Sequence, residues 1–113
     1  MNLEIKQELL EGVYVLHLTG EVDAFTAPLL RDALMPLTEE NGKKVIVDLT
    51  NVEYVDSTGL GILIGAYKSA HNYKSHLQLQ GLSSRIKRLF EITGLDEIID
   101  IKGNRGEYNG VSK

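Results

Sequence analysis

Lys44-Val45-Ile46-Val47-Asp48-Leu49, followed at a short distance by Asp56-Ser57-Thr58-Gly59-Leu60-Gly61, is the stretch that decides the fold. Its first part is nearly continuous, branched and apolar, the composition of a strand covered on both faces. Its second part opens a segment in which Leu60, Leu63, Ile64, Tyr67 and His71 recur at helical spacing, giving one amphipathic face. A turn is expected between them, over residues 51–54. A buried strand that hands over to an amphipathic helix is the repeating unit of parallel α/β sheets.

Working toward the N-terminus, Tyr14 to Gly20 alternates and is rich in β-formers, between Gly12 and Gly20. Leu3, Ile5 and Gln7 mark a weaker strand before it, so a hairpin turning near Glu11-Gly12 is expected. Residues 24–38 change period, with Leu29, Leu30, Ala33, Leu34 and Leu37 on one helical face. Pro28 fits the first turn, where its missing N–H costs nothing, and Pro36 is expected to end or bend that helix early. Asn41-Gly42 is a break.

Toward the C-terminus, Leu77-Gln78-Leu79-Gln80 is a short strand ended by Gly81. Ser83 or Ser84 caps a third helix that turns Ile86, Leu89, Phe90 and Thr93 inward and stops at Gly94. Residues 98–101 form a short closing strand or edge segment. The expected fold is one α/β domain over residues 1–101, a mostly parallel sheet of four to five strands with helices packed on it. Residues 102–113 hold three glycines and little apolar content, which predicts a flexible C-terminal tail.

Bulk composition narrows the function. The chain has 113 residues, 42 % of them apolar and 25 % charged, as in an ordinary soluble domain. The net charge of −4 is unevenly spread: residues 1–60 carry eleven acids against four bases, and residues 61–113 eight bases against five acids. An acidic front half is the wrong footprint for nucleic acid, which calls for a basic face. Arg85, Lys87 and Arg88 are the only basic cluster, read as a solvated helix face. The longest apolar stretch, Gly59 to Tyr67, is far short of a membrane span of ~20 residues. No secretory signal is expected in Met1 to Glu8, and with no cysteine the natural compartment is the cytoplasm.

Chemistry concentrates in Asp56-Ser57-Thr58-Gly59-Leu60-Gly61. Asp, Ser and Thr are all preferred helix N-caps, so a purely structural reading of the segment is available. Three consecutive capping oxygens exceed the need, however, and two glycines in a first helical turn cost ~1 kcal/mol each relative to alanine. A phosphoryl group on the Ser57 hydroxyl would meet the positive end of the helix dipole. Competing motifs fail: a phosphate-cradling loop would need lysine where Ile62 stands, and no Gly-x-Ser-x-Gly elbow surrounds Ser57. His17, His71 and His76 show no metal-ligand spacing and no evident partnership with Ser57, so no cofactor or metal is expected. His17, flanked by Leu16 and Leu18, is read as structural.

These segments resemble a known family. Asp56-Ser57-Thr58-Gly59-Leu60-Gly61 resembles the phosphoacceptor loop of bacterial anti-sigma factor antagonists, which are STAS domains. Leu18-Thr19-Gly20-Glu21-Val22-Asp23 with Ala24-Phe25-Thr26-Ala27-Pro28-Leu29 resembles the family's second strand, loop and first helix. Val45-Ile46-Val47-Asp48-Leu49-Thr50 with Val52, Tyr54 and Val55 resembles its central strand. The likeness runs in order over residues 2–101 and is greatest to the general-stress, RsbV-like type, with the sporulation antagonist a near relative. It implies a non-enzymatic partner switch. The unphosphorylated protein binds an anti-sigma factor that is also a serine kinase, and so frees the sigma factor for transcription. The kinase phosphorylates the loop serine and breaks the complex, and a PP2C-type serine phosphatase resets it. By position Ser57 is the acceptor, Thr58 a minor candidate, and Asp23, Asp56, Ser57, Thr58 and Gly59 form the partner-binding set. An acid at Asp23 is also an ordinary helix cap, and the two roles are compatible.

Three rivals deserve naming. A small hydrolase using Ser57 as nucleophile would need a base that the sequence does not reveal. A receiver domain phosphorylated at Asp48 would need an acidic pair after the first strand and a late lysine, both missing. A STAS domain serving a stressosome, lipid-transport or transporter assembly is the remaining alternative, since a fold does not fix a partner.

Overall fold

The computed structural model describes residues 2–103. Its elements are β1 (Leu3–Leu10), β2 (Val13–Val22), α1 (Ala27–Thr38), β3 (Lys44–Val55), α2 (Ser57–Tyr73), β4 (His76–Gln80), α3 (Ser84–Thr93) and β5 (Asp100–Ile101), with one 3-10 turn over Leu95–Glu97. Five strands form one sheet in the order β1-β2-β3-β4-β5. β1 runs antiparallel to β2, and every later pairing is parallel. The expected α/β domain with a mostly parallel sheet is therefore present. The tail expected over 102–113 lies outside the described residues from 104 onward.

Local chemistry accounts for the element ends. β1 and β2 meet at Leu10 and Val13, and both intervening residues, Glu11 and Gly12, have positive φ (52° and 83°). That is the two-residue turn whose twist matches a hairpin. The Ser83 hydroxyl caps α3 by accepting the Ile86 N–H at 3.2 Å, and Gly94 ends it in the left-handed region.

The sheet has one dry face. Leu16 and Leu18 of β2, Val45, Val47 and Leu49 of β3, and Leu77 and Leu79 of β4 are buried there. α1 adds Leu30 and Leu34, α2 adds Leu63, Ala66 and Ala70, and α3 adds Ile86 and Phe90 to the same cluster. Thr93, expected inward, is exposed, its hydroxyl donating back to the Leu89 carbonyl.

Three boundaries depart from the expectations. The turn over residues 51–54 is absent: β3 continues to Val55, its buried positions stepping by three through Leu49, Val52 and Val55 where the pairing with β2 shifts register twice. α1 starts at Ala27 rather than residue 24, because Asp23 to Thr26 first closes a turn of its own. Pro36 neither ends nor shortens α1, which runs to Thr38. The bond Pro36 cannot make is to the Asp32 carbonyl, on the exposed side where water serves. His71, expected on the inner face of α2, is exposed; the stripe runs instead through Leu60, Leu63, Ala66 and Ala70.

The opposite sheet face is polar. His17 is its centre: Nδ1 lies 2.9 Å from Asp48 Oδ2 and Nε2 lies 2.8 Å from Glu8 Oε1. Carboxylates only accept, so both bonds require the imidazolium. His17 thereby links β1, β2 and β3 across the face. The bond to Glu8, then that to Asp48, raises the His17 pKa. For Asp48, burial pushes upward but bonds from Thr50 and His17 outweigh it and hold the carboxyl below its ordinary value. His76 also finds a carboxylate, Asp100 Oδ2 at 2.7 Å, which no sequence spacing announces.

Because the folded His17 pKa is raised, its stabilisation is full below the unfolded value of about 6.5 and fades as pH rises through the folded value. The unfolding midpoint of the wild type should therefore exceed that of His17→Gln by more at about pH 6 than at about pH 9. Denaturant melts of both proteins at the two pH values check this.

Candidate functional site

β2 and β3 end together, Val22 paired with Val55, so that the turns beginning at Asp23 and Asp56 emerge side by side. This is the carboxyl edge of a parallel pair, where open α/β sheets present their ligands and partners. The Asp56 N–H donates to the Val22 carbonyl at 3.0 Å and ties the two turns together.

Asp56 is the N-cap of α2. Its backbone is extended, and its Oδ1 accepts the Gly59 N–H at 3.0 Å while its carbonyl accepts from Leu60. One of the three candidate capping oxygens thus does the capping. Ser57 and Thr58 are exposed, and neither hydroxyl makes a hydrogen bond among the described residues. Their N–H groups are equally unclaimed, at the positive end of a 17-residue helix.

Gly59 is buried, and the reason is steric. A Cβ there would sit 2.5 Å from Val22 Cγ1 and 2.9 Å from the Val22 carbonyl oxygen. Gly59 therefore serves the site by letting α2 seat against the end of β2, not by offering a side chain. Gly61, one position past Leu60, faces open space.

Asp23 is only 8 % exposed. Its Oδ1 accepts the N–H groups of Phe25 and Thr26, both at 2.9 Å, and the Thr26 hydroxyl accepts from the Asp23 N–H while donating to the Glu21 carbonyl. The Thr26 N–H is the main cause holding the Asp23 carboxyl below the ordinary aspartate value. Asp23 is thus a turn builder that precedes the helix, whose own N-cap is Thr26. The turn displays Phe25, 80 % exposed, with Leu29 exposed in the first turn of α1. Leu29, read from the sequence as part of the apolar face of α1, thus points outward, and Phe25 was not singled out, since nothing in the sequence separates an outward from an inward aromatic.

Chemically the site offers an accessible hydroxyl that no side chain among the described residues hydrogen-bonds. His17 is engaged with Glu8 and Asp48, and His76 with Asp100; none of them bonds Ser57. Among the described residues no cluster of three or more His, Asp or Glu could hold a metal. Beside the hydroxyl lie the unclaimed amides of Ser57 and Thr58, which favour an anion.

Comparison with known proteins agrees with this geometry. The STAS domain family model matches residues 4–108. The anti-sigma-B factor antagonist of Listeria monocytogenes is 46 % identical over 110 residues, 97 % of this chain and 96 % of that protein. That of Bacillus subtilis is 43 % identical over 101 residues, 89 % of this chain and 90 % of that one. The crystal structure of an anti-sigma factor antagonist from Mycobacterium paratuberculosis, 26 % identical, superposes with a TM-score of 0.75 over 99 % of this chain and 96 % of its own. The chain belongs to the STAS-domain family, among the anti-sigma factor antagonists. It is accordingly a regulatory binding protein and not an enzyme. Among the described residues no helix is long and apolar enough to cross a membrane.

Gly59 in the first turn of α2 and Gly61 just beyond it should respond oppositely to the same change. Gly59→Ala forces Val22 aside and should destabilise by about 1–3 kcal/mol. Gly61→Ala meets nothing and should stabilise by about 0.5–1 kcal/mol. Urea unfolding of the two single variants measures both signs.

Proposed function

We propose that this chain is a phospho-regulated anti-sigma factor antagonist with Ser57 as its acceptor and Thr58 as a minor one. Unphosphorylated, it binds an anti-sigma factor that is also a serine kinase, in the cytoplasm, and the sigma factor is set free. Phosphorylation of Ser57 by that kinase ends the complex, and a PP2C-type serine phosphatase restores the binding form. The curated relatives are named for antagonism of an anti-sigma-B factor, which supports the same kind of partner here.

The observation that carries the reading is the division of labour in the α2 cap. Asp56 satisfies the helix, so the exposed Ser57 hydroxyl has no structural duty and can be modified without cost to the fold. The binding surface in this reading is the edge bearing Asp23, Asp56, Ser57, Thr58 and Gly59. Asp23 and Gly59 shape it from within, and Asp56, Ser57, Thr58 and the exposed Phe25 meet the partner.

Two electrostatic effects then compete. An anion at the start of α2 gains ~0.3–1 kcal/mol from the helix dipole, so the fold tolerates phosphate. Across an interface the phosphate adds about −1.5 to −2 charges beside Asp56 and demands desolvation. One charge pair at about 4 Å is worth roughly 1 kcal/mol in water and roughly 4 at an effective dielectric of 20. A loss of ~3 kcal/mol weakens affinity about a hundredfold, so the interface effect dominates and the complex separates without unfolding.

Ser57→Ala should bind the kinase constitutively and resist inactivation by ATP. Ser57→Asp should bind about a hundredfold more weakly yet melt near the wild-type temperature. Calorimetric titration and thermal melts test both, with mass spectrometry locating the phosphate on the wild type. Phosphate found elsewhere, or Ser57→Asp failing only because it unfolds, would end this account.

A further inference from the structure

α3 and the end of β3 enclose a groove of about 260 Å³ lined by Tyr54, Val55, Arg85, Ile86, Leu89 and Ile92, with Arg88 on its rim. Its walls are mostly apolar. Ile92 is 72 % exposed and Tyr54 46 % exposed. Arg85, Arg88, Leu89 and Ile92 recur at helical spacing, so they form one stripe along α3 that faces Tyr54.

The stripe is charged as well as apolar. Arg85 and Arg88 are exposed and make no ion pair or hydrogen bond among the described residues. Two unpaired guanidinium groups one helical turn apart, above an apolar floor, complement carboxylates at the same spacing flanking an apolar side chain. An acidic amphipathic segment has that chemistry. A basic surface does not, since the same two arginines would repel it.

Position supplies a role. Tyr54 and Val55 precede Ser57 by three and two residues, so a segment held in the groove sits close along the chain to the acceptor serine. We propose that this groove is a docking site for an acidic amphipathic segment of the anti-sigma kinase, with Arg85 and Arg88 pairing its carboxylates and Tyr54, Leu89 and Ile92 receiving its apolar side chain. The inference rests on the function proposed above and adds a second contact to it, on a different element from the cap. Such an anchor holds the kinase on the substrate while leaving Ser57 itself uncovered for transfer.

The test uses the full chain carrying Ser57→Ala, titrated with the anti-sigma kinase of the same bacterium at low and at high salt. Adding Arg85→Glu with Arg88→Glu should weaken binding about tenfold or more at low salt, and by less at high salt. Adding Ile92→Asp should weaken it about tenfold at both. Both sets lie on the exposed face of α3, so melting temperatures should stay near that of the parent. Unchanged affinity in both variants, with the Ser57→Ala parent still binding, overturns the docking site and leaves the switch intact. A parent that does not bind the kinase at all overturns the switch and the docking site together. If the arginine variant instead abolishes binding to a short DNA duplex or self-association of the parent, and kinase affinity is unmoved, the groove serves that other occupant and the proposal falls.

Discussion

The close approach of Gly59 to Val22 is the constraint on which the rest of the site depends. A hydrogen at that position lets the first turn of α2 lie against the end of β2, and the Asp56 N–H then reaches the Val22 carbonyl. Any larger residue would lift the helix start and separate the two turns. With the turns fastened, Asp56 is fixed in the extended conformation a cap requires, and Ser57 falls at the first helical position with its hydroxyl outward. The geometry of Ser57 is in this way set by a packing contact that Ser57 itself does not make.

The two turns reach rigidity by different means. At β3–α2 a side chain caps a helix directly. At β2–α1 the chain makes an intermediate turn, Asp23 gathering two amides and Thr26 bridging back to Glu21. Both consume a carboxylate oxygen in local bonding, which is why an edge rich in acids is well ordered and not merely repulsive. On the far side of the sheet His17 does comparable work between Glu8 and Asp48. Polar bonds order the rim and the open face, and apolar burial supplies the core beneath the helices.

Much of the fold was legible because its signals are short-range. The alternation of β2, the turn at Glu11-Gly12, a serine cap at Ser83 or Ser84 and the Gly94 stop all follow from a few neighbouring residues. What escaped depends on tertiary contacts. Leu49, Val52 and Val55 step by three because β3 shifts register on β2, and a strand pattern read by twos loses the thread there. Ala66 and Ala70 carry the inner stripe of α2, although larger residues nearby look better suited. At the site, Ser57 stood out with Asp56 and Thr58, but propensity ranks all three as caps. Only the geometry assigns the task to Asp56. The outward aim of Phe25, Tyr54 and Ile92 was invisible for the same reason, since exposure belongs to the folded surface.

The sheet also ends very differently on its two sides. β5 pairs over two residues, whereas β1 is an eight-residue strand whose outer edge has no neighbour among the described residues. A long free edge is a template for pairing with another chain, and such pairing would compete with any exchange of partners. β1 meets that hazard with charge: Glu4, Lys6 and Glu8 occupy alternate positions along it. Two edges stacked antiparallel or in register would bring like charges together and desolvate them. The chain thus carries, at the margin of the sheet opposite β5, its own deterrent to aggregation.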